Sequence, residues 1–448
     1  MNAAASNAAR VVSGRMLFRS TRSPDDAGVP FAEALERGLA PDGGLYVPVT
    51  WPRFSPSDFA DCRDLPSIGT RLLKPFLTGD RLEPDLPAIC REAFNFQAPL
   101  VPVGRADGFA VLELFHGPTA AFKDFGARFL ASALTRLRTD AQRLLNILVA
   151  TSGDTGGAVA AAFHGRRTAQ VSVLYPRGLV SPTQERQLTC WGDNVQAFRV
   201  MGTFDDCQRI AKEAFGDADL RQRFDLSSAN SINVGRLLPQ MVYYAAASLA
   251  AWRRVQVAPS FIIPAGNLGN AAACIWARQV GLPIGEVVLA HNANRTVPDY
   301  LANGRWQPRA SRATLASAMD VGDPSNMERL RTMFPTLAAL TTAVSADSVD
   351  DAAIEARIKS DFRAYQQIWC PHTATAAEVY ARLPPDRRLG QHWIMVATAH
   401  PAKFREIVEP LLGIDVPVPE ALAALLTRAT SFRDLAPDLA ALKHALSH

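Results

Sequence analysis

The chain has 448 residues, 48% of them hydrophobic and 20% charged, which excludes disordered and fibrous classes and predicts roughly two or three packed units rather than a single core. Its net charge of +4 is small and its arginines are scattered, which argues against a dedicated nucleic-acid surface. The longest apolar stretch, Met241 to Trp252, is too short to span a bilayer, so no membrane anchor is expected.

Residues 1–15, rich in Ala and Arg and free of acids, read as a disordered extension. Residues 31–39 predict a short helix ended by the turn Pro41-Asp42-Gly43-Gly44, with an extended segment over 45–48. Proline recurs to about residue 102, so residues 16–105 read as an irregular N-terminal domain wrapped on something larger. From about residue 110, short apolar runs alternate with alanine-rich helical stretches, the pattern of an α/β protein with a helix-covered parallel sheet. Residues 144–150 predict a buried strand whose following helix begins within Asp154-Thr155-Gly156-Gly157. Residues 261–264 repeat the arrangement, leading through residues 265–270 into a helix that ends near Gly281. Weaker strands are expected at 171–175, 286–290 and 393–398. Residues 106–410 thus form a two-lobed core, with a smaller lobe over roughly 140–225, and residues 411–448 read mostly as helices. Cys62, Cys90, Cys190, Cys207, Cys274 and Cys370 lie far apart without metal-ligand spacing, which suits reduced thiols in a cytoplasmic protein and no metal site.

Only six of the 47 basic residues are lysines, so a chemically required lysine has few candidates. Lys123 sits among aromatics, where desolvation would lower its pKa as a reactive amine needs, although Asp124 beside it would oppose the shift. A lone Lys-Asp pair on a helix is usually a solvated face. Gly266-Asn267-Leu268-Gly269-Asn270 matches neither a dinucleotide nor a Walker fingerprint, yet offers backbone N–H groups at a helix start that suit a single phosphate. A tight turn with an Asn cap would look the same. The run from Thr151 to Gly157 is a second such nest with added hydroxyls, suited to a carboxylate or simply to helix capping.

Taken together, Phe122-Lys123-Asp124-Phe125-Gly126, Ser152-Gly153-Asp154-Thr155-Gly156 and Gly266-Asn267-Leu268-Gly269 resemble the motifs of the threonine synthases, in the tryptophan-synthase-β-like group of pyridoxal-phosphate enzymes. Similar family segments are Gly38 to Tyr46, Asn230 to Asn233 with Arg236 to Leu238, Ser317 to Asp320, Pro371 to Ala374 and Thr398 to Phe404, so the resemblance spans most of residues 17–413. It implies two open, mainly parallel twisted sheets with helices on both faces, plus a family-type N-terminal domain. It implies pyridoxal 5'-phosphate held as a Schiff base by Lys123, which also moves protons, with Gly266, Asn267, Leu268, Gly269 and Asn270 on the cofactor phosphate and Thr398 beside the ring nitrogen. Ser152, Asp154 and Thr155 are placed on the substrate, whose α-carboxylate falls to the serine and threonine, and Asn233 and Arg236 near its phosphate. His116, His372 and His400 read as structural. Leu268 and Asn270 stand where many relatives carry Phe and Asp.

The activity so implied is conversion of O-phospho-L-homoserine and water to L-threonine and phosphate by a monomer or homodimer. A phospholyase or dehydratase working by β-elimination is the nearest alternative. A catalytically silent ligand-binding relative is a more distant one.

Overall fold

The computed structural model describes residues 14–104, 109–138 and 143–447 of the chain; residues 1–13, most of the expected N-terminal extension, lie outside the described residues. Strands β1 (Phe18–Ser20) and β2 (Tyr46–Pro48) form an antiparallel pair in the N-terminal region. Then come β3 (Leu100–Val103), β4 (Phe109–Glu113), β5 (Leu145–Ala150), β6 (Ala169–Pro176), β7 (Val195–Val200) and β8 (Asp225–Ser228). After them follow β9 (Ser260–Pro264), β10 (Val287–His291), β11 (Ser345–Ser348), β12 (Trp393–Ala397) and β13 (Arg433–Leu435). The larger sheet has the order β11-β10-β9-β12-β4-β3 and is parallel except at β3. The smaller, β13-β7-β6-β5-β8, is parallel throughout.

Residues such as Phe261-Ile262-Ile263 form strands because both faces are buried, which demands apolar side chains at every position. The two-residue alternation then sorts them. Ile147 and Val149 pack with Ala158 and Val159 of the helix Asp154–Phe163, whereas Leu148 and Ala150 pack with Cys207 and Ile210 of the helix Phe204–Gly216. Adjacent strand residues point to opposite faces, so these helices cover opposite faces of the smaller sheet. In the larger sheet, Phe261 and Ile263 face the core that holds the helix Gly269–Gln279, and Ile262 faces Ala374 and Ala377 of the helix Pro371–Arg382. The segment beyond Pro410 contains helices, as its Leu and Ala spacing predicts, and also β13, too short and too charged to stand out in sequence.

The N-terminal region is less irregular than its prolines suggest. Helices Phe31–Arg37, Leu65–Leu73 and Leu86–Ala93 share one apolar core with the helix Lys123–Leu137. Phe94 stacks on Phe129 with ring centroids 6.2 Å apart, and Phe96 meets Phe125 at 4.6 Å. Each such ring removed from water contributes about 2–3 kcal/mol, so this region braces the helix that begins at Lys123. The helix Phe31–Arg37 has no capping side chain of its own; buried Asp80 accepts from the Ala32 N–H at 2.9 Å instead.

His291, at the end of β10, is 2% exposed and its Nε2 has no hydrogen-bond partner. Burial pulls its pKa down to about 3. The unfolded chain therefore takes up this proton at a higher pH than the fold does, so the stability His291 contributes is complete above its unfolded pKa and is lost on acidification. Between pH 7 and 4.5 the wild type should lose roughly 2–3 kcal/mol more than His291→Gln. Urea unfolding of both proteins at the two pH values checks this, and equal losses would contradict it.

Candidate active site

The C-terminal ends of β4, β5, β9 and β12 converge on one cavity, where open parallel sheets bind ligands. The segment after β4 is stitched to the end of β12. The Leu114 N–H donates to the Ala397 carbonyl at 3.0 Å, the Phe122 N–H to the Thr398 carbonyl at 2.9 Å and the His400 N–H to the Ala120 carbonyl at 3.0 Å. This stitching brings Lys123, the first residue of its helix, beside Thr398 at the cavity wall.

The Lys123 side chain is 16% exposed, and its Nζ lies 5.1 Å from the Phe122 ring centroid. Burial pulls its pKa down to about 8, Lys403 and Arg236 add to the fall, and Asp154 opposes it. The positive end of the helix acts in the same sense. Asp124 plays no direct part in balancing this charge. Its buried carboxylate turns to Thr119, accepting from the N–H at 2.9 Å and from Oγ1 at 2.7 Å. The carboxylate facing Lys123 is Asp154, with Oδ2 at 4.0 Å from Nζ.

Asp154 also accepts from Lys403 Nζ at 2.8 Å and from Gln184 Nε2 at 2.9 Å. Burial alone would raise its pKa, but Lys403 and Lys123 overcome that and hold the carboxylate well below the usual range. Asp154 lines the cavity, and as an anion it cannot donate to a substrate carboxylate; its charge lies beside the Lys123 amine. Ser152 and Thr155 do line the cavity, while the Thr151 hydroxyl accepts from the Gly153 and Gly156 N–H groups, both at 2.9 Å, and shapes the loop.

Gly266, Asn267, Leu268, Gly269 and Asn270 all line the opposite wall. The helix Gly269–Gln279 begins with no capping side chain, behind Leu268 in the left-handed region at φ 61°. Its first N–H groups are thus presented to the cavity without a side-chain acceptor. Gly266 is required by close approach, since a Cβ there would stand 2.9 Å from the Met319 Cα. The hydroxyls of Tyr243 and Tyr244 reach Asn270 Oδ1 at 2.5 and 2.8 Å. Asn270 Nδ2 is left buried without a partner.

Arg236 is fully buried, lines the same cavity and donates to the Ala229 carbonyl, while its Nε is also unpartnered. Asn233 is not brought into the cavity. Its amide caps the helix Val234–Leu237 and bonds the Leu35 and Ser228 carbonyls at 3.0 and 3.1 Å, which leaves the side chain no donor for a substrate phosphate.

The description "Threonine synthase N terminus" matches residues 17–94, "Pyridoxal-phosphate dependent enzyme" residues 93–398 and "Threonine synthase, C-terminal" residues 373–446. The threonine synthase of Haemophilus influenzae is 41% identical over 88% of this chain and 91% of its own. The chain belongs to the threonine synthase family. The crystal structure of threonine synthase from Escherichia coli superposes with a TM-score of 0.88 at 36% identity, covering 96% of this chain and 99% of that one. That of pyridoxal-phosphate-bound threonine synthase from Brucella melitensis gives 0.87 at 33% identity over 97% and 99%.

Membership among the threonine synthases makes the chain a pyridoxal-phosphate-dependent lyase. The residues present fit that cofactor. An uncapped helix start and two unpaired buried N–H donors, on Asn270 and Arg236, offer an anion the partners they lack among themselves. Sequence reasoning missed Lys403, Gln184 and the tyrosine pair behind Asn270. Of these only Lys403 carried a signal, as one of the six lysines and part of a family-like segment. The three histidines read as structural each have a hydrogen-bond partner, and His372 also lines the cavity. His372 is pulled down to about 4 by burial and accepts from the Ala318 N–H at 3.0 Å, His400 accepts from the Ala402 N–H at 3.1 Å, and His116 meets Glu113 at 2.7 Å. Among the described residues no helix is long and apolar enough to cross a membrane.

Proposed function

We propose that the chain converts O-phospho-L-homoserine and water to L-threonine and phosphate, with Lys123 as its reactive amine and proton carrier. The observation that carries this reading is a lysine depressed to about 8 in the same cavity as two unpaired buried N–H donors. When bound, pyridoxal phosphate supplies a covalent hold on the substrate amine and a conjugated ring that spreads the charge left by lost protons.

Lys123 Nζ removes the Cα proton and, once that proton has been passed on, a Cβ proton, and phosphate departs from Cγ. A proton is returned to Cγ, water adds its hydroxyl at Cβ, Cα is reprotonated, the proton left from water goes to the released phosphate, and Lys123 releases threonine. Ser152 and Thr155 hold the α-carboxylate. Gly266, Asn267, Leu268, Gly269 and Asn270 would hold the cofactor phosphate, and Thr398 would give the ring nitrogen a neutral partner. Arg236 contributes positive charge near the anions. The cavity shares Ala150, Gln208, Asn230 and Asn267 with a wide outer cleft whose lining carries Arg22, Arg37, Lys212, Arg221 and Arg331 together with Asp225, Asp323 and Glu328, Arg22 being paired with Glu328.

Threonine and 2-oxobutanoate are to be measured separately from phosphohomoserine and from phosphothreonine. Threonine and stoichiometric phosphate from phosphohomoserine are expected. Production of 2-oxobutanoate without threonine would replace this reading with a β-eliminating lyase.

A further inference from the structure

Lys403 is 0% exposed and lies in the turn after β12, far in sequence from every other charge in the cavity. Its Nζ donates to Asp154 at 2.8 Å and to the Thr119 carbonyl at 2.8 Å. Its own carbonyl accepts from the Ser181 hydroxyl at 2.7 Å, so both ends of the residue are fixed. One lysine thus ties the turn after β12 to the segment that leads into Lys123 and to the loop that starts the helix Asp154–Phe163.

The other charged and titratable groups around this pair do not substitute for it. Asp124 is turned to Thr119, His372 is neutral, Cys370 is a buried thiol with its pKa pushed up by burial, and Arg236 is a cation that repels Lys123. Asp154 is therefore the carboxylate beside Lys123, and it is shared between two amines at unequal distances, 2.8 Å to Lys403 and 4.0 Å to Lys123.

We propose that Lys403 is a positioning residue: by holding Asp154 it keeps that carboxylate from closing on Lys123 and leaves the Lys123 nitrogen free to react. The proposal rests on the reading of Lys123 as the reactive amine. With Lys403 gone, Asp154 has one cation left, and the Coulomb attraction between the two, strong where water is excluded, draws them together. Loss of the competing partner and loss of the like charge act in the same direction, holding Lys123 as an ammonium that can neither attack nor accept a proton. A purely structural strut would weaken the fold without moving the titration of Lys123.

The test compares the wild type, Lys403→Met and the charge-neutral Lys403→Met/Asp154→Asn as full-length chains stripped of cofactor. Acetic anhydride labelling of Lys123 across pH, read by peptide mass spectrometry, gives its titration midpoint. Lys403→Met should raise that midpoint by about one pH unit or more, roughly a fivefold loss of labelling at pH 8. The double variant, which removes the captor along with its guard, should bring it back to near the wild-type value. In the cofactor-loaded proteins the alkaline-rising limb of kcat/KM should move in step. If Lys403→Met does not fold, Lys403→Gln, which can still bond Thr119 and Asp154 without the charge, should raise the midpoint by a smaller amount, through loss of the like charge alone. A midpoint that stays put, or that rises equally in the double variant, would overturn the proposal. The labelling needs no substrate, so a wild type that fails to turn over phosphohomoserine would refute the substrate reading while leaving this result intact.

Discussion

Lys123→Ala should lower threonine formation from O-phospho-L-homoserine by about 10³–10⁴-fold or more, because it removes the group assigned every proton transfer at Cα and Cβ. The fold should survive. Lys123 is the first residue of its helix, alanine is a better helix former, and Asp154 keeps Lys403 as a counter-ion. The loss should fall on kcat with the thermal midpoint little changed, which separates missing chemistry from a damaged scaffold. Lys123→Arg should be no better, since a guanidinium stays protonated across the working pH range. Steady-state kinetics and thermal melts of both variants suffice, and undiminished threonine formation by either would sink the assignment of Lys123.

Much of this site is legible in the sequence because its parts are local. The nests after β5 and β9 are contiguous, and each marks a strand-to-helix junction through residues that the backbone itself demands. Lys123 is legible because lysine is scarce. Asn233 misled for the same reason that it could be seen: its amide serves its own neighbours Gly235 and Ser228, a capping function that a motif cannot distinguish from ligand contact. Asp154 was legible only in part. Its role depends on Lys403 and Gln184, which lie 249 and 30 positions further along the chain and reach it only through the sheets. Of the fold, the apolar strands β5 and β9 announce themselves by composition, whereas β8, β11 and β13 are short and polar and acquire strand geometry only from a paired neighbour.

Gly153→Ala tests how far the carboxylate nest depends on one backbone conformation. Gly153 has φ 128° and ψ −81°, where a side chain is strained whatever the space around it. Space is also missing, since a Cβ would stand 2.5 Å from Cδ and Nε2 of Gln184. Gln184 is not free to yield. It is fully buried, its Oε1 accepts from the Ser181 N–H at 3.0 Å, and its Nε2 holds Asp154 at 2.9 Å. Backbone strain and overpacking each cost ~1–3 kcal/mol, so the loop should shift rather than absorb both. Ser152 and Thr155 would move with it, and Asp154 would lose its grip on Gln184. The expected result is a lower unfolding midpoint together with a KM for phosphohomoserine raised by about tenfold or more, the cost of one mispositioned charge-assisted contact. Gly178→Ala is the matched control: φ there is also positive, at 70°, but nothing lies within 4 Å of the added Cβ. It should cost about 1 kcal/mol of stability and leave KM unchanged. If Gly153→Ala behaves like Gly178→Ala in both measurements, the loop tolerates the methyl group, and the placement of the α-carboxylate on Ser152 and Thr155 loses its structural basis.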